Sequence, residues 1–186
     1  MQRWLFTVLM MLALWVPLKS AQAVSVFTER AGPWRAACDR VPADDKVYCR
    51  IFYIETFSEF RGKNFVQFGP AWAPDQVGIV LATYLEFRDS TEIRIGVDKH
   101  ERHVVPARGT NNIMLGPERA KPLMEQMATG NKMVVDFYTK SGVHHLALAD
   151  LTIYKEMLKK VQGVMALHNG IIDKRNAEKK DAEKGS

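Results

Sequence analysis

The chain has 186 residues, of which 47% are hydrophobic and 25% charged, and a formal net charge of +5. That length fits one ordinary domain, able to bury most of its apolar surface without further staples. The excess charge is small and is not gathered on one face-forming run, which argues against a nucleic-acid binder.

The chain opens with Met1-Gln2-Arg3-Trp4, continues through an apolar stretch over 5–18, and reaches Ala21-Gln22-Ala23. A basic start, a short apolar core and a small-x-small end read as a secretory signal peptide over residues 1–23. The core is too short, and is broken too early by Pro17 and Lys19, to read as a membrane span. Cleavage after Ala23 would leave a mature chain starting at Val24, with no cysteine at the cut to carry a lipid. That mature chain holds 24 basic and 21 acidic residues, and five of the basic and three of the acidic ones lie in 174–186. The body is therefore close to neutral. No later apolar run is long enough to span a bilayer, so a soluble periplasmic or secreted protein is expected.

From residue 24 to 170 the pattern reads as a single β-rich domain. Trp34 to Cys38 is short and extended. Residues 47–54 are rich in aromatic and branched side chains, which favour a pleated surface. Between these lies Val41-Pro42-Ala43-Asp44-Asp45, a turn composition, so a hairpin with one cysteine on each arm is expected. A further strand over 63–68 should stop at Gly69-Pro70. Residues 77–87 are apolar and could form a helix by periodicity, but their branched content and the Arg88-Asp89-Ser90 turn favour two strands meeting at that turn, with clean alternation over 91–98. Ala107 to Asn112 reads as a loop, and Ile113-Met114-Leu115 as a short strand. A short helix is expected over 121–129, with Pro122 in its first turn and Gly130 in a left-handed C-terminal position. Residues 133–140 and 143–148 form a second hairpin around Ser141-Gly142. A closing amphipathic helix over about 152–167 carries Tyr154, Leu158, Val161 and Met165 on one stripe. The charged segment 171–186 cannot bury apolar surface and reads as a disordered or frayed-helix tail. The expected fold class is mainly β: a two-layer antiparallel sandwich with two short helices near the C-terminus.

The order of these pieces is distinctive. A tryptophan is followed by Cys38 and Cys49 across a short turn. The middle reads Tyr84-Leu85-Glu86-Phe87, a turn, then Glu92-Ile93-Arg94-Ile95-Gly96-Val97-Asp98. The end reads Leu123-Met124-Glu125-Gln126-Met127-Ala128-Thr129-Gly130-Asn131-Lys132-Met133-Val134-Val135-Asp136-Phe137, a Ser141-Gly142 turn, Leu146-Ala147-Leu148 and a closing helix. This layout, over roughly 34–164, resembles the invasion-associated locus B family of bacterial exported proteins. The resemblance implies a small β-sandwich-like domain, a periplasmic or surface location, and a link to host-cell invasion in some pathogens. Many members carry a second cysteine pair after the central aspartate. The comparable stretch here, 103–115, has none, so a function that depends on that second pair does not carry over.

Several groups could carry chemistry. Cys38 and Cys49 close a loop whose crosslink contributes about 3 kcal/mol in the chain-entropy account. Their wide spacing in a hairpin differs from the Cys-x-x-Cys of redox-active pairs, so a structural disulfide is expected. His100, His103, His144 and His145 could contribute metal ligands. Adjacent histidines on a strand face opposite ways, so only one of His144 and His145 could join the first two. Exposed polar residues are the simpler account, and no metal or cofactor is expected. Glu55 and Glu59 form a possible carboxylate pair, which a solvated turn explains equally well. No Gly-x-Ser-x-Gly elbow or phosphate-cradling loop is present, so no enzyme is expected. The turn at 57–62 and the Pro-rich stretch at 69–74 place aromatics in apparent loops. These nominate Phe57, Phe60, Arg61 and Trp72 as partner-binding residues. The reading is an exported, non-enzymatic protein that binds another protein or the cell envelope; the alternative is a periplasmic ligand- or metal-binding protein.

Overall fold

The computed structural model describes residues 23–42, 45–57, 64–73 and 76–184. The signal segment, Phe60 and Arg61 lie outside the described residues. Ten strands and two helices are assigned among the described residues: β1 (Val24–Ala31), β2 (Trp34–Val41), β3 (Lys46–Phe57), β4 (Asn64–Ala73), β5 (Gln76–Thr83), β6 (Glu92–Val97), β7 (His103–Pro106), β8 (Asn112–Leu115), α1 (Pro117–Thr129), β9 (Lys132–Tyr138), β10 (His144–Asp150) and α2 (Leu151–Lys184). The strands make a six-stranded sheet, β1-β2-β3-β4-β5-β8, and a four-stranded sheet, β10-β9-β6-β7. Every pairing is antiparallel.

Alternation explains which face of each sheet turns inward. On β9, Met133, Val135 and Phe137 are buried, and on β6 Ile93 and Ile95 join them. From the larger sheet come Ile51, Tyr53, Val66, Phe68, Ile79 and Leu81. The two inner faces form one core, as expected for a sandwich. Trp34 stands at its centre, fully buried, with its ring edge-on to Tyr53 at 5.4 Å and tilted against Tyr154 at 5.4 Å. Its indole nitrogen donates to the carbonyl of Asp150 at 2.8 Å. α1 packs against β5, β6 and β8, and α2 against β1, β2, β3 and α1, each burying one apolar stripe.

The expected disulfide is present: Cys38 lies directly opposite Cys49 in the β2–β3 ladder, with their Cα atoms 4.0 Å apart. Elsewhere the structure corrects the elements. β4 does not stop at Gly69-Pro70 but runs through to Ala73. Its ladder to β3 lapses opposite Ile51 and Phe52 while its ladder to β5 stays continuous, so the N–H that proline lacks falls where no bond is made. A side chain at Gly69 would run into the backbone of Ile51 and Phe52, which is why glycine stands there. The strand expected over 77–87 is β5, which ends earlier, at Thr83, and Phe87 makes an isolated bridge to Thr139. β1 and β7 carry weaker sequence signals and were not expected.

α1 begins at Pro117, so Pro122 lies inside the helix rather than in its first turn. Gly130 is extended, φ −75°, not left-handed. Glycine is needed there because a Cβ would strike Val97 and the Gln126 carbonyl. Finally, α2 continues as helix through the charged segment to Lys184. Lys, Glu and Ala all favour helix; among the described residues the last fully buried one it contributes is Val161, with Val164 and Met165 packed against the core beyond it.

Candidate interaction surfaces

The most specific stretches of sequence meet at one joint. Asp98, at the end of β6, accepts the backbone N–H groups of Asn131 and Lys132, each at 2.9 Å. Its own N–H donates to the Lys132 carbonyl at 2.9 Å. The two backbone donors hold the Asp98 carboxyl below its ordinary range. Lys155 of α2 donates to the Gly130 carbonyl at 2.9 Å. The Gly96-Val97-Asp98 and Gly130-x-Lys132 pieces therefore fasten β6, α1, β9 and α2 together, a structural role.

A second joint closes one corner of the sandwich. β10 is an edge strand, yet its outer side is tied to β3. The Tyr53 hydroxyl donates to the Leu148 carbonyl at 2.9 Å, and the Leu148 N–H donates to the Glu55 carboxylate. Burial, then the neighbouring Glu55 charge, pushes the Tyr53 phenol up to about 12. Burial likewise raises Glu55, with the bonds from Tyr53 and Leu148 pulling it back. Glu55 thus belongs to a structural strap rather than to a solvated turn.

The nominated aromatics are not brought together. Phe57 pairs with Asn64 at one end of the β3–β4 ladder, and Trp72 pairs with Cys49 towards the other. Eight residues of strand separate the two ends, roughly 25 Å. Trp72 is not in a loop: it lies on β4, partly buried and packed against the core. It shares the face of Cys49, so its indole covers the disulfide end of the core. The sequence signal failed because Gly69-Pro70 reads as a stop whether or not the neighbouring strand needs that N–H.

The histidines also disperse. His103 is hydrogen-bonded to Gln126 at 3.1 Å. His145 is buried, stacked on Phe137 with ring centroids 5.3 Å apart, which corrects its reading as an exposed loop residue. His144 faces out, as strand alternation requires. Among the described residues no group of three or more His, Cys, Asp or Glu side chains is placed to hold a metal ion.

The outer face of the four-stranded sheet is the most decorated surface. His144 is bonded to Asp136 at 2.7 Å and stacks on Tyr138 at 4.8 Å. Arg102 approaches the other Asp136 oxygen at 3.7 Å, and Arg94 pairs with Glu92 at 3.0 Å. Glu92, Arg94, Asp136, Tyr138 and His144 line a cavity of about 260 Å³. Around them Val104, Leu146 and Leu148 are exposed. Asp136 can orient the His144 imidazole, but among the described residues no hydroxyl or thiol is hydrogen-bonded to that ring.

With this geometry in hand, comparison with known proteins gives one structural likeness. The fold is similar to that of the crystal structure of invasion associated protein B from Bartonella henselae, with a TM-score of 0.51 and 15% sequence identity. The match covers 75% of this chain and 99% of that one. No family model matches the chain, and no curated protein matches it. The likeness establishes a shared fold, in accord with the resemblance seen in the order of sequence motifs. No helix among the described residues is long and apolar enough to cross a membrane.

Proposed function

We infer that this chain is an exported, non-enzymatic protein of the invasion-associated locus B type, which works in the periplasm or at the cell surface by binding another protein or an envelope component. The observation that carries the reading is the fold likeness over nearly the whole of the Bartonella henselae protein. It is supported by the basic-apolar-small start of the sequence and by the Cys38–Cys49 disulfide, a bond that persists in oxidising compartments. Phe57, Phe60, Arg61 and Trp72 remain the proposed partner contacts. Because Phe57 and Trp72 stand at opposite ends of the sheet, they would belong to two separate contacts. The test is capture from envelope extracts on the immobilised oxidised mature chain, beside a reduced and alkylated control. The reading expects envelope proteins held by the oxidised chain alone. Identical proteins at identical yields on both would contradict it.

A further inference from the structure

The four edges of the two sheets are not protected alike. β1 carries a register shift between Ser25 and Phe27, and such a bulge spoils flat pairing. β7 ends in Pro106, which has no N–H to offer. β10 is tied by Tyr53, Glu55 and Trp34. β8 has none of these devices, only its shortness.

The pairing of β8 with β5 determines which of its backbone groups lie open. The Thr83 N–H donates to the Asn111 carbonyl at 2.9 Å. In an antiparallel ladder the bonding direction alternates, so Ile113 and Leu115 face β5, while Asn112 and Met114 turn their backbone groups outward. The Thr110 hydroxyl donates to the Asn112 carbonyl at 2.9 Å, which agrees with that direction. Among the described residues this leaves the Asn112 N–H and both backbone groups of Met114 open along one free margin. The margin borders a cavity of about 430 Å³ whose lining includes Arg108 and Arg119 and no acidic residue. Both arginines are exposed, and neither guanidinium is engaged in an ion pair or hydrogen bond among the described residues.

We propose that the β8 edge receives an extended acidic segment of a partner protein, which pairs with Asn112 and Met114 as an added strand and sets its carboxylates against Arg108 and Arg119. This rests on the partner-binding reading and names its surface and chemistry. Extended backbone matches the repeat of the open ladder groups, and carboxylates match two guanidiniums that have no counter-charge. A second copy joined edge to edge would bring like charges together. The chain's own terminal segment 174–186 is more basic than acidic. A small anion would use the arginines and leave the ladder groups idle.

The experiment measures fluorescence anisotropy on the oxidised mature chain with a labelled octapeptide of alternating Val and Glu. Three controls accompany it: the Lys-for-Glu peptide, a proline peptide (the same acidic peptide with proline in place of its inner valines and N-methylglutamate in place of its inner glutamates), and inorganic phosphate as competitor. The proline peptide keeps every carboxylate but cannot pair, so the ladder is tested without altering the protein. The proposal expects saturable binding below about 1 mM, at least tenfold weaker for the Lys peptide, for the proline peptide, and for the acidic peptide on Arg108→Glu/Arg119→Glu. It is overturned if the acidic peptide does not saturate by that concentration, if the proline peptide binds equally well, if the double variant binds unchanged, or if phosphate displaces the peptide completely. Envelope capture with Arg108→Glu/Arg119→Glu separates the two levels. Undiminished specific capture would sink this surface and leave partner binding standing, whereas no specific capture even by the unaltered chain would sink both.

Discussion

Two phenols in one core make opposite forecasts for the same chemical deletion. Tyr53 and Tyr154 are both buried, 7% and 0% exposed, and both touch the Trp34 ring. The Tyr53 hydroxyl donates to Leu148 at 2.9 Å, while the Tyr154 hydroxyl has no hydrogen-bond partner among the described residues. Burial pushes the Tyr154 phenol far up, the mark of a polar group stripped of water. Tyr53→Phe should therefore lose a net hydrogen bond and leave a carbonyl facing a poorly solvated corner, a cost of about 1–2 kcal/mol. Tyr154→Phe removes only an unsatisfied hydroxyl and should be neutral or stabilising by about 1 kcal/mol. Ring volume and aromatic contacts are kept in both, so cavity terms do not confuse the comparison. The assay is equilibrium urea unfolding of the oxidised chain, with equal slopes showing that the same surface is exposed. The gap between the variants should be roughly 1–3 kcal/mol in favour of Tyr154→Phe. Equal losses, or a larger loss at Tyr154, would refute the assignment of partners in this core.

Other expectations follow from the same geometry. Cys38→Ala/Cys49→Ala should lower stability by about 3 kcal/mol, and thiol labelling of the unfolded, unreduced chain should find no free cysteine. Trp72→Ala should cost about 2 kcal/mol, because the partly buried indole covers the disulfide end of the core; a urea midpoint within 0.5 kcal/mol of the unaltered chain, roughly the size of a surface change, would put it outside. Glu55 has a raised pKa, so its protonated form favours the fold and that contribution is lost as pH rises through the folded value. Glu55→Gln keeps a carbonyl acceptor but cannot ionise, so its stability relative to the unaltered chain should improve as pH rises above the ordinary carboxylate range. Unfolding curves that shift in parallel with pH would speak against this. Truncation before Lys174 should leave the melting temperature nearly unchanged, since the last residue packed against the core among those described is Met165.

What could be read from the sequence was set by period and pairing. The cysteine hairpin, the β6 alternation, the Ser141-Gly142 hairpin and the Tyr154–Val161 stripe announced themselves because each is a local pattern. The order of motifs also pointed to the right fold, and the structure explains why: Asp98 and Gly130 to Lys132 fasten four elements at one joint. What escaped was non-local. Whether Pro70 ends a strand depends on whether β3 needs its N–H. Glu55 reads as surface until β10 arrives to donate to it. His145 reads as a loop residue until Phe137 covers it. The open β8 edge depends on sheet order, which no local window contains.

The central claim, an exported and oxidised domain, is tested most directly by intact-mass measurement of the chain recovered from the periplasm of a Gram-negative host expressing residues 1–186. The account predicts a species spanning Val24 to Ser186, two hydrogens lighter than its fully reduced form. A full-length species confined to the cytoplasm, with two reactive thiols, would contradict it.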